Sequence, residues 1–511
     1  MKINHFFNLV FLGILQGFSQ SFFYLIPLVV LVYFFFLKKI ILAKSLKESF
    51  LNGWTFGFGF FFGSMHWMVN PFLIYQKHFL LFPLGLIVFP LVMGLFFVIP
   101  TVSIFLAKKT KILSEERVFL DSFFICFFFF LSEFLRSKVF GGLPFNLSGH
   151  IWAFNSDFIQ ISKFIGVYGF SFLTLLWIIV SVNLFSNKNF KLSFLMFVFF
   201  PAFFLSFSFF SNSEEEKDNN DSILVRVIQP NILQEEKWNR LFFQQNIEKL
   251  LKLTKEKNDQ KEKIVVWPEV AVTLYLNEEE DFLRYLKKEI PSNITIITGG
   301  LRREISEGQV KVFNSLYLIN KNIKFYDKRK LVPFGEFIPF RKWVDFFKIT
   351  PGSTDFSVGK DLKIIEDKVG EQNYFFEPSI CYEAIFQTFS DTESQLLINI
   401  TNDAWFGNGL GPKQHLSAQI FRSVEKSTPL IRSSNSGISV ITNEEGEILE
   451  KIKLEKDGFI ELELKLQSRK TFFEKNGNVS LIILILLTFL LFYLIDKIYH
   501  LKVKSKPIFK T

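Results

Sequence analysis

At 511 residues the chain has room for several domains, but 49% of it is hydrophobic, 71 residues are Phe and only 21% are charged. That composition excludes an ordinary soluble protein. The net charge of +9 is spread over loops without forming a basic patch, which argues against a nucleic-acid partner.

From the start to about residue 210 the sequence is a series of long apolar runs. Segments near 5–21, 22–37, 53–74, 79–106, 118–135, 161–185 and 190–210, with an eighth at 479–495, each approach the length a bilayer-crossing helix needs, about 17 to 25 residues. Asn8, Gln16 and Gln20 interrupt the first. No small-residue cleavage site follows it, so it reads as a retained helix and not as a signal peptide. With a cytoplasmic start and eight alternating spans, the cytoplasmic segments carry 16 Lys and Arg and the short external loops carry 4. This asymmetry places both ends in the cytoplasm and residues 211–478 outside it. Glu133 and Arg136, one helical turn apart at a membrane edge, either pair or meet a lipid headgroup.

"SNSEEEKDNND" (211–221) opens a polar linker, 211–222, ahead of a domain over 223–478; residues 496–511 form a basic tail. In the domain, β-branched runs at 223–229, 263–269, 294–300, 312–320, 374–383, 396–402 and 437–443 alternate with helical patterns at 239–256, 278–290, 384–393 and 413–427. Such alternation predicts a layered α/β domain. The stretch 334–349 carries Phe334, Phe337, Phe340, Trp343, Phe346 and Phe347. It reads either as a lid dipping into lipid or as domain core.

Three stretches carry reactive groups at the end of a strand or in the turn after it, where function concentrates. In "VVWPEVA", Pro268 cannot continue a central strand, so Glu269 leaves the ladder. "YDKRKLVPFGEFIPF" supplies Lys328, Lys330 and Glu336, and "SICYEAIF" supplies Cys381, Tyr382 and Glu383. The other cysteine, Cys126, lies inside an apolar run and cannot pair with an external thiol. Cys381 is then either buried and inert or reactive. A thiol, a carboxylate to take its proton and a lysine to steady an oxyanion suffice for acyl transfer; spacing alone does not bring them together. The six histidines, His5, His66, His78, His150, His415 and His500, show no metal-ligand spacing, so no metal or other cofactor is expected. His415 is expected to pack or to cap a helix start. The absence of a G-x-S-x-G elbow argues against a serine lipase.

"VVWPE", "YDKRKLVPFGE" and "SICYE", in this order, resemble the Glu-Lys-Cys signature of the nitrilase (carbon–nitrogen hydrolase) superfamily. "IQPNILQEEKW" (228–238), "NITNDAWFG" (399–407), "GPKQHL" (411–416), "RSSNSGIS" (432–439), "GWTFGFGFFFGSMHW" (53–67) and "SEFLRSKVFGGLPF" (132–145) are similar to further blocks of the bacterial apolipoprotein N-acyltransferase family. At "LPFN" (143–146) the chain has Phe after the proline, where that family often has Trp. The resemblance implies a polytopic α-helical membrane protein of about eight spans with an inserted α/β nitrilase-like αββα sandwich. It implies Glu269 as general base, Lys328 as oxyanion-stabilising lysine and Cys381 as nucleophile, supported by the acidic positions Glu336 and Glu383 and the substrate-site aromatics Trp238 and Tyr382. It further implies a monomer of the bacterial inner membrane with its catalytic domain on the periplasmic side. The implied partners are membrane lipid, a phospholipid acyl donor and a diacylglyceryl-modified apolipoprotein acceptor. Two rival readings are a membrane-tethered amidase that uses water and a scaffold with a degenerate domain. Eight helices exceed what a tether needs, and all three triad positions are filled.

Overall fold

The computed structural model describes residues 3–22, 25–74, 78–114, 117–211, 221–306, 308–339, 355–361, 364–390, 392–466 and 470–504. The chain forms two compact units, one of residues 1–66, 83–214 and 471–511, the other of residues 67–82 and 215–470. Most of the aromatic run at 334–349 and nearly all of the linker lie outside the described residues.

In the first unit, five helices among the described residues are long and apolar enough to cross a bilayer: Leu81–Lys109, Val118–Arg136, Ser162–Ser186, Phe190–Phe209 and Val479–Ile498. The helices Ile3–Ser19 and Ile26–Ile41 have 17 and 16 residues. At 1.5 Å per residue they reach about 25 Å, short of a hydrocarbon core of about 30 Å. The run read as 53–74 starts earlier, as the helix Leu46–Met65, and stops at a 3₁₀ turn, His66–Val69. Gly59 and Gly63 on that helix face the backbone of Val10 and Ile14, where no side chain would fit, so small residues draw the two helices together. Glu133 and Arg136 both brace the loop that follows their helix. Arg136 donates to the carbonyls of Leu143 and Phe145, and Glu133 accepts from Ser148.

The second unit is built on two six-stranded sheets. One holds β1 (Ser222–Gln229), β2 (Lys263–Val266), β3 (Ile294–Ser306), β4 (Gln309–Ile319), β5 (Ile323–Asp327) and β12 (Gly458–Lys465), in the order β12-β1-β2-β3-β4-β5. The other holds β6 (Ile365–Val369), β7 (Gln372–Ile380), β8 (Leu396–Thr401), β9 (Leu430–Ser434), β10 (Ser439–Thr442) and β11 (Ile448–Ile452), in the order β11-β10-β9-β8-β7-β6. The sheets pack face to face through Val225, Val227, Ile264, Leu316 and Leu318 on one side and Phe376, Ile398, Ile400 and Ile431 on the other. Helices Phe243–Lys255 and Glu280–Glu289 cover the outer face of the first sheet through Ile247, Leu250 and Leu286. Helix Leu410–Lys426 packs by β9 of the second sheet. The arrangement is the expected αββα sandwich.

Five of these strands, β5, β6, β9, β11 and β12, escape the sequence reading. Four of them are half-charged edge or near-edge strands such as "IEDKV" and "ILEKI", whose exposed faces break an apolar run. The helix expected at 384–393 is replaced by a 3₁₀ turn, Cys381–Ile385, and irregular chain. Side chains there bind neighbours instead of a helical backbone, with Thr388 donating to Glu377 and Gln387 to Glu425.

Candidate active site

The reactive groups sit where strands end. β7 finishes at Ile380, paired with Ile400 of the parallel β8, and the next residue, Cys381, turns left-handed at φ +51°. A non-glycine residue rarely adopts this conformation without surrounding structure to enforce it. Two contacts do so: the Glu383 carboxylate reaches back to the Ile380 N–H at 2.9 Å, and His415 Nε2 lies 3.2 Å from the Cys381 carbonyl oxygen.

Glu269 lies beyond the end of β2, after Trp267 and Pro268, and is followed by Val270 at φ +44°. The turn lies hard against Gly299 of β3, where an added Cβ would be 2.2 Å from the Val270 nitrogen. Lys328 directly follows β5. Its N–H donates to the Asn314 carbonyl at 2.9 Å, and its carbonyl accepts from Gly359 N–H at 2.8 Å.

These loops converge on one charged cluster. Lys328 Nζ lies 3.2 Å from Glu269 Oε1 and 2.9 Å from Glu336 Oε1. Asn314 Nδ2 donates to the same two oxygens at 2.8 and 3.0 Å. Glu336 Oε2 accepts from the Val332 N–H at 2.9 Å, which fixes the loop between them. Lys330, in contrast to Lys328, is exposed and lies over the Phe386 ring. Glu383 accepts from the N–H groups of Arg329 (2.6 Å) and Lys330 (3.1 Å) and from the Tyr326 hydroxyl. With its bond to Ile380, it ties the lysine loop to the cysteine turn. Tyr382 is buried with its ring edge-on to Phe386. Trp238 is half-buried at the end of the short helix Gln234–Lys237, its Nε1 without a hydrogen-bond partner among the described residues.

Burial sets the electrostatics. It works against the Lys328 ammonium, but Glu269 and Glu336 outweigh it and hold the group well above the usual lysine range. Burial, then the Glu269 charge, pushes the Cys381 thiol up to about 12 despite Lys328 and a hydrogen bond from Thr401. The resting thiol is therefore protonated. Burial also raises Glu383, against its backbone N–H donors and Lys328.

Sequence reasoning missed several members of the site. Asn314 lies within an apolar strand, and an amide there needs partners; that was the available signal. Lys237 donates to the Glu269 carbonyl at 2.7 Å. His415 packs, as one of its two expectations had it, and does not cap the helix start: it sits fully buried in the second turn of Leu410–Lys426, its Nδ1 2.9 Å from Asp403, which also takes Arg432. Burial works against the Asp403 carboxylate, but Arg432 and His415 bring it down to about 2. Burial and the Arg432 charge lower His415.

Two carboxylates share a buried ammonium, and both Glu269 and Lys328 act electrostatically on the Cys381 thiol; a thiol, a carboxylate and an ammonium are the equipment of covalent acyl transfer. Residues 12–180 match the family model described as apolipoprotein N-acyltransferase N-terminal domain, and residues 224–472 match the one described as carbon-nitrogen hydrolase. The chain is 31% identical to an apolipoprotein N-acyltransferase of Rickettsia bellii, over 89% of this chain and 91% of the relative. It is 29% identical to those of Rickettsia prowazekii (96% and 98% covered) and Brucella suis (86% and 84%).

Proposed function

The chain belongs to the apolipoprotein N-acyltransferase family and is an acyltransferase of lipoprotein biosynthesis, and from that premise we propose that Cys381 carries the acyl group between two lipid substrates. The supporting observation is the convergence of Glu269, Lys328 and Glu336 within bonding distance in one electrostatic neighbourhood with the Cys381 thiol.

Glu269 takes the proton from Cys381 as sulfur attacks the ester carbonyl of a membrane phospholipid. The oxyanion of the tetrahedral adduct is met by the Lys328 ammonium and the backbone N–H of Tyr382. The C–O bond then breaks, the lysophospholipid leaves with the proton held by Glu269, and a thioester remains on Cys381. In the second half the α-amine of a diacylglyceryl-modified N-terminal cysteine attacks the thioester, Glu269 removes a proton from that nitrogen, the C–S bond breaks, and Glu269 returns the proton to the departing sulfur, which restores the thiol. Two substrates visiting one sulfur in turn make the scheme ping-pong. Glu336 and Glu383 hold the lysine and the two loops. Trp238 and Tyr382 serve as aromatic surfaces at the substrate site.

With eight spans, the Lys and Arg asymmetry supports cytoplasmic termini and a periplasmic catalytic domain in the inner membrane of a bacterium. Full-length protein given phospholipid alone should gain one acyl group on Cys381, labile to neutral hydroxylamine. A diacylated lipopeptide with a free α-amine should discharge it, and an N-blocked one should not. N-acylation of the peptide by Cys381→Ala at the native rate would overturn the reading; release of free fatty acid without an acceptor would favour the amidase.

A further inference from the structure

Two buried lysines meet Glu269, and the scheme above uses only one of them. Lys328 engages the carboxylate. Lys237 holds the main chain instead, with Nζ donating to the Glu269 carbonyl oxygen at 2.7 Å. It is 7% exposed, and lysines are seldom buried this deeply without a charged partner. Here the described hydrogen bond runs to a neutral carbonyl.

The carbonyl it holds belongs to a turn that needs holding. Val270, the next residue, is at φ +44°, a left-handed conformation that β-branched residues strongly resist. Gly299 blocks the turn on one side by close backbone approach. The Lys237 ammonium restrains it through Glu269. If the turn relaxed, the carboxylate would swing relative to Lys328 and Asn314, which it meets at 3.2 and 2.8 Å.

We infer that Lys237 is a positioning residue of the acyl-transfer centre, pinning the Glu269 carbonyl so that the carboxylate faces the thiol and adding a second positive charge opposite the developing thiolate. The inference rests on the reading of Cys381 as nucleophile and Glu269 as base. The charged groups that act on the thiol are Glu269, Lys328, Asp403 and Lys237, with a hydrogen bond from the Thr401 hydroxyl and His415 at the Cys381 carbonyl. Those facing Lys237 are Glu269 and Cys381. Burial lowers the Lys237 ammonium to about 8, with Glu269 and Cys381 pulling back up. It therefore loses its proton as pH rises through about 8, while Lys328 keeps its own. A neutral amine still donates to the carbonyl but no longer offsets the thiolate charge. Arginine stays charged throughout.

The test uses the full-length protein, K237M and K237R, with two probes: the pH dependence of Cys381 alkylation by iodoacetamide, and single-turnover acyl loading from phospholipid between pH 6.5 and 9.5. K237M should load on the order of 10²-fold more slowly with the phospholipid KM unchanged, and its alkylation midpoint should rise. K237R should recover most of the rate, return the midpoint to the native value and abolish the fall in rate above pH 8. Native rate and midpoint in K237M would overturn the inference. So would equal losses in both variants with an unmoved midpoint, because Lys237 would then only fill space. If K237M does not fold, an alkaline fall that persists unchanged in K237R overturns it. Alkylation needs no lipid chemistry. A wild type that takes no acyl group while K237M still shifts the midpoint would fault the donor assignment and leave the role of Lys237 standing.

Discussion

Adding one methyl group at Gly299 tests whether Glu269 must be held where it is. A Cβ there would lie 2.2 Å from the Val270 nitrogen and 2.7 Å from both the Cα and the carbonyl carbon of Glu269. Ordinary contact begins at 3.4 Å, so the worst overlap exceeds 1 Å, and all three atoms are backbone that no rotamer change can move. The strand and the turn cannot simply part, because Gly299 N–H donates to the Pro268 carbonyl and the Gly299 carbonyl accepts from Val272. Gly299→Ala must therefore displace Glu269 by about 1 Å, a shift that costs on the order of 10²-fold in rate, or about 2.7 kcal/mol of barrier. Overpacking should lower fold stability by about 1 to 3 kcal/mol. Gly300→Ala is the control: its Cβ would press on the Leu276 side chain, which can turn away, so stability falls but acyl loading persists. The assay follows intact mass after phospholipid addition, with unfolding measured in parallel. A folded Gly299→Ala that loads at the native rate would refute the reasoning, as would equal rate losses in both variants.

Glu383→Gln turns one of two acceptor oxygens into a donor facing the N–H groups of Ile380 or of Arg329 and Lys330. The lost charged bond and the unpaired N–H should cost about 3 kcal/mol, visible as a lower unfolding midpoint, with acyl loading at least about tenfold slower; unchanged values would remove Glu383 as the tie between the loops. Asp403 is held at about 2, below the roughly 3.9 of an unfolded aspartate, so its ion pairs add roughly 2 to 3 kcal/mol at neutral pH. A depressed carboxylate stabilises above its unfolded value, and that contribution should fade as pH falls from about 4 to about 2. Asp403→Asn should be less stable at pH 7 and should lose this acid-side slope; an identical slope in both proteins would exclude Asp403 as its source. Reporter fusions after Lys188 and after Ser222 should report opposite sides of the membrane, and two cytoplasmic reports would overturn the proposed topology.

What the sequence disclosed follows a physical division. Glu269, Lys328 and Cys381 each stand just past the end of a strand; Pro268 and the apolar run that stops at Ile380 mark two of these ends locally, whereas β5 carries no such run and Lys328 is marked only by the "LVPFGE" pattern after it. The residues that lock them were not legible, because their meaning depends on partners far away in the chain. Asn314 serves Glu269 and Glu336 across separations of 45 and 22 residues, and Glu383 bonds Arg329 across 54. Arg432 looks like an exposed charge in "LIRSS", yet it is fully buried on Asp403 and Asn399. The membrane segments show the opposite weakness. Apolar runs announce themselves, but where a helix starts and stops depends on packing, as the helix Leu46–Met65 shows against an expected span of 53–74.

In the proposed scheme, sharing one lysine between two carboxylates answers the problem that burial creates. A thiol raised to about 12 resists ionisation because a new charge in a water-poor site is costly. When the proton passes from Cys381 to Glu269, however, no charge is created. The negative charge leaves the Glu269 carboxylate and appears on sulfur within the same cluster. Lys328 must stay positive throughout, and with Glu269 neutralised it would lose its partner at 3.2 Å. Glu336, at 2.9 Å and anchored by the Val332 N–H, remains and keeps the ammonium protonated and in place. Freed from Glu269, the other side of that ammonium can turn to the thiolate and then to the oxyanion. Glu269 alternates between charged and neutral only because Glu336 does not, so removing Glu336 should harm catalysis by releasing Lys328 as well as by loosening the loop.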